Sequence, residues 1–362
     1  MKERNYTIDF LRLVAILAVV LIHTTNTSMQ LGYYSLSLLP FSFFLNHFAR
    51  FAVGVFFAIS GYLLASRFNP KLPVLSFYKR RLSKLFLPYL VWSAIYYMSM
   101  NHFNPKSLFS ADFFLDLLSG NASYQLYFIP TIICLYFLFP LFMKYKGFFL
   151  SENFLRVFFI FQVFLLFFLY TSGKDLPTHP TIRNVLINSL PFLCGMFIGV
   201  LPEKLKEYKR YALLVLVIAV SSLLLMMKET WEMFYLHANP NFVRTQWRVT
   251  SPIYSLSMAL VLAYFHHDVI SKLGKKISTQ TNKVILLLSN HSMGVYFAHV
   301  SAISLFWRFW GSYLYSLTQG HIVYNPWFDV LQFFAVTGMS FVVIFIAGKI
   351  PVLGNLLGAK VG

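Results

Sequence analysis

The sequence predicts an all-α integral membrane protein of about ten transmembrane helices, with the N- and C-termini cytoplasmic. Three observations predict it. Of the 362 residues, 58% are hydrophobic and 12% charged, and the mean hydropathy is +0.64, outside the range of water-soluble domains. Apolar runs of the roughly 20 residues needed to cross a hydrocarbon core of about 30 Å recur along the chain, as from Tyr211 to Met227 and from Phe328 to Ala347. Lys and Arg collect in short segments between those runs, and alternate segments are the richer ones.

Charge, proline or glycine bounds each predicted helix. The first, 9–28, follows Met1-Lys2-Glu3-Arg4 and carries Asp9, Arg12 and His23 within its apolar run. A cleavable signal peptide has an uninterrupted apolar region, so this segment is expected to be retained. The second, 44–66, opens on His47 and Arg50 and contains Ser60-Gly61. The third, 82–100, follows the basic run Tyr78-Lys79-Arg80-Arg81-Leu82-Ser83-Lys84. The next three are 124–143, 154–171 and 183–201. The seventh, 210–228, follows Lys204, Lys206, Lys209 and Arg210, and the eighth, 249–266, ends at His266-His267-Asp268. The last two are 284–306 and 327–349.

With the N-terminus inside, Arg67, Lys71, Lys79, Arg80, Arg81 and Lys84 fall in the cytoplasm, as do Lys204 to Arg210 and Lys272, Lys275, Lys276 and Lys283. The opposite loops are poorer in positive charge: Lys106 with Asp112 and Asp116, Lys174 with Asp175, and Lys228, Arg244 and Arg248 with Glu229 and Glu232. No polar stretch is long enough for a second domain, so residues 1–362 are expected to form a single membrane domain. There is no internal repeat of the kind that builds inverted-repeat transporters.

The formal net charge of +18 is what a nucleic-acid binder would carry, but its placement beside apolar runs fits membrane lipids as the partner and no nucleic acid. Cys134 and Cys194 sit inside apolar runs and read as packing residues. The sequence contains no metal-ligand pattern, no Gly-rich phosphate loop and no Gly-x-Ser-x-Gly elbow, so no metal and no bound cofactor are expected. His266-His267-Asp268 reads as a solvated helix end.

Ionisable groups are costly in lipid and mark cavities or partners there. Arg12 and His23 are eleven residues apart, about three turns and roughly 16 Å along one helix face. Asp9, three residues before Arg12, shares that face and is close enough to pair with it. In the functional reading, Asp9 orients Arg12 at the cytoplasmic mouth to meet an anionic donor, and His23 is a general base deeper in the membrane. In the bland one, Asp9 and Arg12 snorkel and His23 packs helices. Three such residues on one face favour function.

A second stripe, Ser289, Ser292, Tyr296 and His299, is spaced three, four and three, and so is expected to share a helix face. Interhelical hydrogen bonding accounts equally well for its serines and tyrosine, less well for His299. Arg50 serves equally as a holder of an anionic acceptor or as an interfacial anchor. Ser60-Gly61 reads first as a place of close helix approach. Arg81 and Lys84, three apart, are positive-inside anchors or a cradle for the phosphates of a nucleotide-like donor.

These residues resemble acyltransferase family 3, ten-helix membrane acyltransferases that modify bacterial cell-surface glycans. The resemblance covers essentially the whole chain. It rests on Ile8-Asp9-Phe10-Leu11-Arg12 followed by His23, on Phe56-Phe57-Ala58-Ile59-Ser60-Gly61-Tyr62, and on the basic run ending at Pro88-Tyr89. Leu126-Tyr127-Phe128-Ile129-Pro130 is similar to the family's Leu-Trp-Phe-Leu run, and Ser292 to His299 to its Ser-x-Gly-x-Tyr-x-x-His segment. Among stand-alone members, Val20-Leu21-Ile22-His23-Thr24-Thr25 and Arg50 are most similar to enterobacterial-common-antigen O-acetyltransferases.

The resemblance implies a multi-pass protein of the bacterial inner (plasma) membrane. Acetyl-CoA or another acyl-CoA would be the donor substrate, and a glycan or lipid-linked sugar the acceptor. It implies Arg12 and His23 as the essential pair and sets Arg81 and Lys84 at the family's Arg-x-x-Arg position; on the residue readings above, Asp9 stands beside the pair, Arg80 joins Arg81 and Lys84 at the donor, and Arg50, Ser60, Tyr296 and His299 are acceptor or supporting residues. The family's Arg-x-x-Arg ends in Lys84 here, which keeps the charge and loses the bidentate fork. His23 either takes the acceptor's hydroxyl proton or carries the acyl group itself. The alternative function is a carrier or flippase for polysaccharide, lipid-linked sugar or amino acid using the same stripes; a noncatalytic scaffold is a further rival.

Overall fold

Leucine, phenylalanine and valine dominate the apolar runs, and in lipid a helix satisfies every backbone group within its own segment. A computed structural model describes residues 5–32, 39–172, 179–236, 248–272, 275–318, 320 and 326–361. Met1 to Arg4, Lys174, Asp175 and Arg244 lie outside them. The structure is 86% helical, with no strand among the described residues, as expected of an all-α membrane protein.

In chain order the principal helices are α1 (Tyr6–Gly32), α2 (Leu39–Ala49), α3 (Ala52–Ser66), α4 (Val74–Met100), α5 (Ala111–Ser119), α6 (Phe128–Lys144) and α7 (Glu152–Ser172). Then follow α8 (Pro180–Val200), α9 (Ala212–Leu236), α10 (Thr250–Asp268), α11 (Lys275–Ser289), α12 (Ser292–Phe306), α13 (Pro326–Gly348) and α14 (Pro351–Leu357). Six candidate spans among the described residues are long and apolar enough to cross a bilayer: Tyr6–Asn26, Phe41–Ser66, Glu152–Leu169, Pro180–Val200, Glu203–Glu232 and Trp327–Gly348. Each predicted span falls on one of these or on a shorter or more polar helix.

Two predicted spans are broken. Region 44–66 divides at Arg50-Phe51 into α2 and α3, and region 284–306 divides at Asn290-His291 into α11 and α12. At the second break, Ser289, Asn290 and His291 all favour caps over helix interiors, and His291 Nδ1 lies 2.9 Å from the Leu287 carbonyl. Ser289 therefore ends α11 and does not share a helix with Ser292, Tyr296 and His299. Helices α4 and α11 also begin some eight residues earlier than the apolar runs do, at Val74 after Pro73 and at Lys275, so the basic run from Lys79 to Lys84 lies inside a helix.

The chain forms two compact units. One comprises Met1–Phe56 and Lys206–Val343. Within it α1 is central, packing against α2, α10, α11 and α12, while α9 lies along α10. Tyr254 of α10 donates to the Phe48 carbonyl of α2 at 2.7 Å. His266 is buried, a correction to the solvated helix end expected for it: Thr7 Oγ1 lies 3.0 Å from Nδ1, Asn282 Oδ1 lies 3.3 Å from Nε2, and Phe10 packs on the ring. The amide oxygen can only accept, so Nε2 carries the proton and Nδ1 accepts from Thr7. Its neighbours do face water: Asp268 pairs with Lys209 at 2.5 Å and with His267 at 3.0 Å, and those hydrogen bonds hold its carboxyl below the usual range.

The other unit comprises Phe57–Leu205 and Ile344–Gly362, with α8 packed on α6 and α7, and α14 on α4. Its tightest crossing is made by glycine. A Cβ on Gly195 would sit 1.9 Å from the Ala58 carbonyl oxygen, one on Gly61 would sit 2.0 Å from that of Phe192, and one on Gly199 would sit 2.7 Å from that of Tyr62. Gly195 and Gly199, four apart on α8, form a small-xxx-small face against α3, the close approach expected around Ser60-Gly61. Pro191 within α8 supplies no N–H for the Ile187 carbonyl, and Gln162 of α7 donates its amide there instead, at 2.7 Å.

Candidate active site

Helix α1 positions the polar stripe. Asp9 is buried, and its Oδ1 lies 3.6 Å from Nη1 of the partly exposed Arg12, the pairing their spacing predicts. About three turns on, His23 is partly exposed amid buried neighbours, Val20, Thr24 and Thr25 among them.

The backbone on either side of His23 is clamped from two other helices. Asn46 of α2 donates to the Ile22 carbonyl at 2.9 Å and to Thr25 Oγ1 at 3.0 Å. Gln332 of α13 is fully buried, with its amide oriented to donate to the Thr24 carbonyl at 3.1 Å and to accept from Trp307 Nε1 at 3.0 Å. Arg50 lies 3.2 Å from Asn46 Oδ1 through Nε and 3.1 Å through Nη2, turning the amide NH₂ toward α1. Arg50 thus supports the stripe through Asn46.

His299 comes from α12. Its ring centroid is 5.1 Å from that of His23 and 6.2 Å from that of Tyr296. The site residues predicted on two distant stretches of sequence, His23 with Tyr296 and His299, are therefore brought together within one unit. Farther along α2, His47 Nδ1 lies 2.7 Å from the Phe43 carbonyl and Nε2 lies 2.6 Å from Thr230 Oγ1. Arg248 donates to that same hydroxyl and to the Met226 carbonyl. Arg248, expected in an outer loop, is buried because this network occupies its guanidinium. Asp329 of α13 is likewise buried, accepting from Ser42.

In the second unit, α4 carries the other predicted cations. Arg80 is exposed and donates from Nε to the Ser76 carbonyl at 3.2 Å; Lys84 is exposed and Arg81 partly buried. Burial lowers the Arg81 guanidinium from its ordinary value; Tyr136 opposes that, while Arg67 and Arg80 push the same way. Arg67 and Arg80 thus both lie within electrostatic reach of Arg81, a like-charge arrangement that a nearby anion would relieve. Ser60 lies partly buried on α3 beside Gly61. Among the described residues, no group of three or more His, Cys, Asp or Glu is placed to hold a metal ion.

The family profile described as the acyltransferase domain, Acyl_transf_3, matches residues 5–349. The chain belongs to acyltransferase family 3. No curated protein and no solved structure matches it. Membership makes this an acyltransferase and a transferase of the membrane, acting with an acyl donor and an acceptor. For this family 3 member, sequence reasoning missed Asn46 and Gln332 and read Arg67 only as a cytoplasmic cation. An amide inside an apolar helix was the available signal for the first two, and position just before the α4 basic run was the signal for Arg67.

Proposed function

We propose that this chain is a multi-pass O-acyltransferase of the bacterial inner membrane. It takes an acyl group, acetyl in the first instance, from cytoplasmic acyl-CoA to a hydroxyl of a cell-surface glycan or lipid-linked sugar. The ten-span arrangement of a single membrane domain with both termini cytoplasmic is part of this reading, supported by the alternation of basic segments. The observation that carries it is His23: a partly exposed imidazole on a rigidly clamped stretch of α1, three turns from the Asp9–Arg12 pair, in an acyltransferase of this family.

His23 accepts the acceptor's hydroxyl proton as the oxygen attacks the thioester carbonyl. The new ester C–O bond forms, the C–S bond breaks, and the imidazolium returns the proton to the departing thiolate, so atoms and charge balance. Arg12 meets an anionic donor; in the other unit, the arginines about Arg81, with Lys84, carry charge of the kind that suits a polyphosphate.

The test is CoA release from acetyl-CoA by purified protein in lipid nanodiscs, with mass spectrometry of surface glycans from cells with and without the gene. Release coupled to a mass gain of one acetyl group per acceptor is expected. Substrate uptake into vesicles with no consumption of acyl-CoA would make the chain a carrier instead.

A further inference from the structure

His299 is fully buried, and its two ring nitrogens are in opposite situations. Nδ1 lies 2.7 Å from the Tyr296 carbonyl and 3.3 Å from the Val295 carbonyl, and a carbonyl can only accept, so Nδ1 carries the proton. Nε2 has no hydrogen-bond partner among the described residues. A proton on Nε2 as well would leave a buried charged donor unmet, so the neutral ring presents a bare lone pair there. The ring nearest in reach is His23, with centroids 5.1 Å apart and planes 30° from parallel. No hydrogen bond joins the two rings in the structure as it stands; an N–H···N bond of about 2.9 Å, each nitrogen roughly 1.1 Å from its ring centre, fits centroids about 5 Å apart, so rotation of the rings in place would form it.

We propose that His299 is a positioning residue for the acyl-transfer base: its Nε2 lone pair accepts one ring N–H of His23, fixing the His23 tautomer so that its other nitrogen faces the acceptor hydroxyl. A second-sphere carboxylate or carbonyl does this for many catalytic or metal-bound histidines; here a neutral imidazole, itself fixed by the α12 backbone, takes that place. A neutral acceptor suits a buried site, since it adds no charge that apolar surroundings would have to offset. This inference rests on the proposed acyl transfer for its kinetic consequence and on ring geometry alone for its spectroscopic one.

The experiment compares His299→Asn with His299→Gln. Asn keeps an amide N–H for the Tyr296 carbonyl but supplies nothing where Nε2 was, whereas Gln can place its carbonyl oxygen there. ¹⁵N-histidine solid-state NMR of the protein in bilayers should show His299 protonated at Nδ1 and bare at Nε2, and a single His23 tautomer that becomes mixed in His299→Asn. In the transfer assay, His299→Asn should lose roughly 10- to 1,000-fold in kcat with donor KM unchanged, and His299→Gln should stay within about tenfold of the parent. A proton on His299 Nε2 at neutral pH, an unaltered His23 spectrum in His299→Asn, or equal losses in the two variants would overturn the proposal. Should the parent release no CoA from any acyl-CoA, the acyl-transfer reading fails, while the spectra still decide whether the two rings are joined.

Discussion

At His23 the backbone is held more firmly than the imidazole. Ile22 and Thr24 offer their carbonyls to amides from two different helices, while the ring between them keeps access to its surroundings. This is the arrangement a base needs, since proton transfer tolerates little displacement. His23→Ala should therefore reduce acyl transfer by about 10²- to 10⁴-fold per folded molecule. The measurement is turnover normalised to monodisperse protein, with Ser304→Ala, an exposed hydroxyl bonded only within α12, as the comparison. Near-normal turnover by folded His23→Ala protein would end the catalytic assignment. Asn46→Leu keeps the bulk of the side chain and removes the clamp, and should cost about 10- to 100-fold in kcat with donor KM unchanged. A rise in KM alone would place Asn46 at the donor instead. Asp9, Arg12 and His23 were legible in the sequence because ionisable groups in an apolar run have few bland explanations. Asn46 and Gln332 were not, because an uncharged amide in a span fits many carbonyls and its sequence neighbours do not say which.

Element boundaries follow local chemistry that hydropathy averages away. The break at Asn290-His291 is a polar cluster inside an apolar window, and α4 starts right after Pro73 rather than where its charges end. The α3–α8 crossing was half readable: Gly61 announced itself beside Ser60, but its partners Gly195 and Gly199 gain meaning only once the two helices are placed together. Gly195→Leu forces a side chain into the Ala58 backbone, where the obstacle is a carbonyl rather than a flexible side chain. A loss of about 1–3 kcal/mol or more is expected, read as a lower melting temperature in detergent together with a lower yield of monodisperse protein. Gln162→Leu strips the substitute donor from the Ile187 carbonyl that Pro191 leaves unserved, and should cost about 1–2 kcal/mol by the same assay. An unchanged melting temperature in Gln162→Leu would mean that water or a rearranged turn serves that carbonyl equally well.

For the whole molecule, charge placement carries what composition alone leaves open. A net charge of +18 is compatible with several classes of protein, but its division among short segments beside the apolar runs matches a bilayer with a cytoplasmic face. Replacing Arg81 and Lys84 together with Gln should raise the donor KM several-fold and change kcat less, because it removes charge from the proposed phosphate contacts and alters no residue of α1. An unchanged donor KM would return both residues to service as lipid-facing anchors.

The clamp on α1 also has a history within each molecule's synthesis. Asn46 emerges from the ribosome soon after His23, but Gln332 lies on α13, among the last segments to be made. The gap left by Pro191 is met in the reverse order, by a residue on α7 already in place when α8 arrives. A nascent chain can thus serve its proline-bearing helix as it grows, yet the Thr24 carbonyl waits for its partner until translation is nearly over. A chain that stops short of α13 lacks the amide that braces the Thr24 carbonyl beside His23.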